Sequence, residues 1–72
     1  MEIFCLYTIK FLGNDQVFKQ YGFYSSKDKA TDKIYKTWKN VMIMFDDDVS
    51  AAYRIYNDDE NDYAFIRRVN VH

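Results

Sequence analysis

The chain has 72 residues, one cysteine, no proline and a net charge of −1. That length holds one domain and excludes a large core, because so short a chain buries only roughly 60% of its unfolded surface. The lone Cys5 excludes an intrachain disulfide, and the longest apolar run, Val41-Met42-Ile43-Met44-Phe45, is far too short to span a membrane.

Met1 to Leu12 reads as a strand. Ile3, Cys5, Tyr7, Ile9 and Phe11 alternate on one face, while Glu2, Thr8 and Lys10 lie on the other with Phe4 and Leu6 among them. Apolar residues on both faces predict a central strand, or a second surface covered by a partner. Gly13-Asn14-Asp15 supplies turn chemistry. Gln16 to Tyr24 is the return strand of a hairpin, with Gly22 marking a bulge or a close backbone approach.

Ser25-Ser26 reads as a helix start, since either hydroxyl can cap the free amides of a first turn. Ala30, Ile34, Trp38, Val41 and Phe45 recur at helical spacing and would face the sheet, with Lys29, Lys33 and Lys36 on the wet side. A stop near Asn40 to Met42 is favoured, which leaves the apolar run up to Phe45 as a connector or short strand. Continuing to Phe45 would set Asp46-Asp47-Asp48 at the negative end of the helix. Ala51 to Asn57 is a third strand, Asn57 to Asp62 a polar loop, and Tyr63 to Val71 the last strand. The predicted fold is α+β in the order ββαββ: an antiparallel four-stranded sheet with one helix packed on one face, forming a single domain over residues 1–72.

No side-chain set for catalysis stands out. The only histidine is His72, the last residue, with no neighbour to orient it. Cys5 lies on the all-apolar face of the first strand, where burial would suppress its thiolate and make it core filler. Asp58, Glu60 and Asp62 match the first ligand positions of a calcium loop. The match then fails, because Tyr63 stands where glycine is needed and Val69 where glutamate is needed. Glycine-rich phosphate loops and paired cysteines are missing from the sequence. No enzyme activity, metal or cofactor is expected.

Charge is unevenly spread. Residues 1–45 hold seven lysines against Glu2, Asp15, Asp28 and Asp32, and residues 46–72 hold seven acids against Arg54, Arg67 and Arg68. Aromatic content is high, with seven Tyr, six Phe and one Trp. Each can bury on the order of 150–250 Å², which compensates for the missing disulfides and also suits a binding surface.

The stretch Tyr21-Gly22-Phe23-Tyr24-Ser25-Ser26-Lys27-Asp28-Lys29-Ala30 resembles a segment of small bacterial and phage domains in which a hairpin ends in Gly-aromatic-Tyr-Ser-Ser before a helix. The resemblance reaches about Trp38. That family then tends to carry Pro-Gly-Phe, where this chain has Val41-Met42-Ile43. It implies a fold and no reaction. In size and composition the chain also looks like small phage proteins, the anti-CRISPR group among them, that bind and block a host protein. Favoured Asn, Asp, Lys, Ile, Tyr and Phe fit the AT-rich coding of low-GC bacteria and their phages.

Three expectations follow. The first is a cytoplasmic protein-binding module, an accessory that inhibits a host protein such as a defence nuclease complex. Its contact residues would be Asp46, Asp47, Asp48, Asp58, Asp59, Glu60 and Asp62 with Tyr53 and Tyr56. The second is single-stranded nucleic-acid binding through Lys29, Lys33, Lys36 and sheet aromatics such as Tyr21, although the slightly acidic chain lacks the strongly basic footprint. The third is a homodimer that covers the spare apolar strand face. No membrane partner is expected.

Overall fold

A computed structural model describes residues 2–57 and 60–70, without the side chains of Asn57, Glu60 and Asn61. The element order is β1 (Glu2–Leu12), β2 (Asp15–Tyr24), α1 (Lys27–Thr37), β3 (Val41–Asp46), β4 (Ser50–Asn57) and β5 (Glu60–Asn70). All five strands join one antiparallel sheet in the order β2-β1-β5-β4-β3, so β1 is interior, as its two apolar faces imply. The α+β class and the single covering helix stand. The four-strand count is corrected to five.

The extra strand is Val41–Asp46. Its spacing fits one helical face, yet α1 stops earlier than expected, at Thr37. Trp38 is the C-cap in extended geometry, and its amide still donates to the Ile34 carbonyl at 3.0 Å. Beyond it, Val41, Ile43 and Phe45 are β-formers, and pairing with β4 satisfies their backbone groups. At the other end of α1, Ser26 is the N-cap and its hydroxyl accepts from the Lys29 amide at 3.2 Å. Gly22, with φ of 152°, sits where the β1–β2 register shifts, which confirms the expected bulge. The Gly-aromatic-Tyr-Ser-Ser segment is therefore a bulge, a strand end and a helix cap in succession.

The expected polar loop over Asn57 to Asp62 is mostly strand. Asn57 pairs with Glu60, and Asp62 lies in register with Lys10 and Ile55. Asp58, Asp59 and His72 lie outside the described residues.

The core lies on the α1 side of the sheet. Phe4 and Leu6 of β1, Ala51, Tyr53 and Ile55 of β4, and Ala64 and Ile66 of β5 close under Ala30 and Ile34, with Tyr21, Tyr24, Trp38 and Val41 packed around them. The mixed face of β1 thus makes the core. Its all-apolar face, with Ile3, Cys5, Tyr7 and Ile9, is only partly buried on the far side of the sheet. Cys5 as core filler is corrected accordingly: burial still pushes its thiol up, opposed by a hydrogen bond with Gln20, but no helix covers it.

Leu6→Ala is expected to cost about 2–5 kcal/mol, the range for a fully buried leucine. Cys5→Ala, one residue away on the uncovered face, is expected to cost less than about 1 kcal/mol. Ser26→Ala should lose about 1 kcal/mol of capping. Urea unfolding of the three variants checks the order, and equal costs at positions 5 and 6 would contradict the assignment of faces.

Candidate functional site

Alternation places one set of side chains from every strand on the uncovered face. In sheet order these include Phe18, Gln20 and Phe23 of β2; Ile3, Cys5, Tyr7, Ile9 and Phe11 of β1; Tyr63, Phe65, Arg67 and Val69 of β5; Ser50, Ala52, Arg54 and Tyr56 of β4; and Met42 and Phe45 of β3. Phe18 is 62% exposed and Phe23 57% exposed, while Phe11, Met42, Phe45, Tyr56 and Val69 are each more than one-third exposed. These are single members of one continuous apolar surface. Ala52 belongs to it in register but is buried between its larger neighbours Phe45 and Phe65.

The centre of the face is a ladder of rings. Tyr7 stacks on Phe18 at 5.0 Å and on Phe65 at 5.3 Å, with interplanar angles of 26° and 20°. Phe65 also lies 6.5 Å from Tyr63, which takes the edge of Phe11 at 5.6 Å. Rings stacked from strand to strand turn their π-faces toward one another and their edges outward. Such a surface offers hydrocarbon edges and leaves few free ring faces for a base to stack upon.

Two cations stand on this face. The Arg54 guanidinium lies over the Tyr56 ring, 5.0 Å from its centroid, and the Tyr56 hydroxyl donates to the Met42 sulfur at 3.7 Å. Arg67 is exposed, lies in register between Cys5 and Ser50, and makes no ion pair with a described residue. Two hollows flank it. One, of ≈ 390 Å³, is lined by Tyr7, Phe45 and Phe65; the other, of ≈ 620 Å³, by Tyr7, Ile9, Phe18 and Val69. No described aspartate or glutamate side chain lies on the uncovered face.

The expected contact residues are dispersed. Tyr56 is on the open face. Tyr53 is corrected: it is fully buried under α1, because its parity in β4 points it to the core, and its hydroxyl lies 3.5 Å from that of Thr31. Asp46 pairs with Lys27, raising the lysine's pKa through their hydrogen bond. Asp47 closes the β3–β4 turn, accepting from the amides of Val49 (3.0 Å) and Ser50 (2.9 Å) and from the Ser50 hydroxyl (3.2 Å). Asp48 is exposed, Asp62 is half-buried on the α1 side, and the Glu60 side chain lies outside the described set. Two of the three carboxylates in the first acidic run are thus engaged, Asp47 in the turn and Asp46 with the start of α1.

The lysines sit on the opposite side of the molecule from the ring ladder. Lys29, Lys33 and Lys36 share a shallow hollow with Tyr24 and Asp32. Tyr21 is on that side too, edge-on to Trp38 at 5.3 Å and beneath the Lys19 ammonium. The residues expected to bind nucleic acid, Lys29, Lys33, Lys36 and Tyr21, thus share the α1 side, apart from the open-face rings. The signal that sequence reading missed is the register that sets Arg54 and Arg67 on the same face as the odd-numbered residues of β1.

Among the described residues no group of three or more His, Cys, Asp or Glu converges as a metal site. No described helix is long and apolar enough to cross a membrane. No protein-family model, curated protein or solved structure matches the chain.

The turn carboxylate gives a pH signature. Amide donors hold Asp47 below its ordinary value of 3.8. Its contribution is therefore fully present above that value and is lost as pH falls through the lower folded-state value. The urea midpoint of the native protein should exceed that of Asp47→Asn near neutrality, and the gap should narrow as pH falls below 3.8 through the lowered folded-state value. A gap that is constant with pH would remove the carboxylate from the turn's stability.

Proposed function

We propose that the chain is a protein-binding module whose contact surface is the open sheet face. It acts by occupying and occluding the protein it binds, as a phage or mobile-element inhibitor of a host protein would. The observation that carries this reading is the face itself: aromatic and aliphatic residues from all five strands, without a covering helix. Monomeric proteins rarely leave a contiguous apolar surface of more than a few hundred Å² exposed without a binding role. The molecule measures 38 × 23 × 18 Å, and its broad side, on the order of 800 Å² in projection, matches one partner's share of a standard interface.

The acidic residues play a smaller part in this reading than the sequence suggested. Asp46 and Asp47 hold the turn beside Lys27, and Tyr56 contributes from the face. The upright, mutually stacked rings favour protein over single-stranded nucleic acid.

The test compares tagged protein with two double variants in a nuclease-treated bacterial lysate. Phe18→Ser with Phe23→Ser strips the exposed face, and Lys33→Glu with Lys36→Glu alters only the outer helix. A partner retained by the native protein and the helix variant, and bound about tenfold less by the face variant, is the expected result. Circular dichroism verifies that both variants are folded. A partner captured equally by the face variant would sink the reading.

A further inference from the structure

From Arg67 we infer that the occupant of the open face is an acidic, apolar protein segment: large apolar side chains flanking a carboxylate that meets the Arg67 guanidinium. This rests on the open face being the docking surface. Arg67 stands near the middle of the sheet, on β5 between β1 and β4, with a mainly apolar hollow bounded by Ile9, Phe18 and Val69 on one side and a mixed one bounded by Phe45, Ser50 and Phe65 on the other. Any partner that covers the ring ladder also covers this cation. Removing a guanidinium from water without a counter-charge is costly, and no described side chain on the face supplies one. The partner must do so. A carboxylate suits the planar donor fork, which binds its two oxygens at once.

The same charge count separates this occupant from a second copy. A copy docked face to face brings a second Arg67 onto the buried surface, and no described carboxylate on either face to answer the two. The area would serve a dimer, but the electrostatics oppose it. Phosphates could meet Arg67 as well, yet two arginines form a sparse track for a polyanion and the ladder turns ring edges outward.

The 72-residue chain, immobilised, is panned against a displayed library of random twelve-residue peptides, and the selected peptides are titrated by fluorescence anisotropy. Acidic residues interspersed with Phe, Leu, Ile or Trp are expected. Affinity should fall at least tenfold for Arg67→Glu and for Arg67→Gln, and be largely kept by Arg67→Lys. Panning on Arg67→Glu should select lysine or arginine in place of the acids. Selection of neutral or basic peptides, indifference to Arg67→Glu, or selection of none would overturn the acidic-segment inference. If neutral peptides lose binding to the Phe18→Ser, Phe23→Ser variant, the docking face survives and only the acidic partner fails. If they do not, both fail. A dimer by light scattering at micromolar concentration that the same double variant dissociates would overturn the inference in favour of a second copy. Tight binding of a thymidine oligonucleotide that Arg67→Glu abolishes would do so in favour of nucleic acid.

Discussion

One eleven-residue helix has to serve a five-stranded sheet that is apolar on both sides. At about 1.5 Å per residue, α1 is roughly 16 Å long, less than half of the 38 Å long axis. It can seal one face, and it seals the one carrying Leu6, Tyr53, Ile55 and Ile66. Everything else follows from that shortage of cover. Small residues (Ala30, Ala51 and Ala64) let the helix approach closely, with Phe4 and Tyr53 filling the space beside them, while Tyr7, Phe18, Tyr63 and Phe65 are left to the other side. Even the helix side is not wholly sheltered, since Leu12 and Val17 near the β1–β2 turn remain exposed.

The uncovered face meets water by organising its rings among themselves. Stacking Tyr7 between Phe18 and Phe65 hides ring faces without hiding the surface as a whole. Pairs of this kind contribute about 0.5–1.5 kcal/mol each beyond burial, so the ladder stabilises the sheet before any partner arrives. It also fixes the shape the face presents: a corrugated surface with hollows on both sides of Arg67. A prearranged surface loses little side-chain freedom on binding, which matters where association already carries a large entropic cost.

Much of the architecture was legible in the residues. Period-two alternation in β1 and the Gly13 turn act through local chemistry and stand as read, while the structure chooses Ser26 over Ser25 as the cap and a bulge over a close approach at Gly22. Val41–Phe45 was ambiguous because its residues fit both a helical face and a strand; an open edge beside β4 decided it. The faces of β1 were harder. Composition made the odd-numbered side look like the interior, but what settles the interior is which side α1 reaches, and that depends on the crossing from β2 at one edge to β3 at the other. The same limit applies to Tyr53, whose burial is a matter of parity against a helix distant in sequence. The acidic runs drew attention as surface charge, while the hydrogen bonds that occupy Asp46 and Asp47 arise only when Lys27 and Ser50 are brought beside them.

The charges on the uncovered face and the form of its edge bear on self-association. Edge strand β3 exposes Met42, Ile43, Met44 and Phe45 together, a run that could pair with another chain. The register shift between Ile43 and Phe45 disturbs its edge, and Asp46, Asp47 and Asp48 close its end. Across the broad face, the charge of Arg67 disfavours a copy of the same surface, which would bring a second like charge. Apolar area alone would make the face adhesive to anything with a hydrophobic patch. A cation that no described side chain answers works against that adhesion, because another molecule of the same chain brings the same charge.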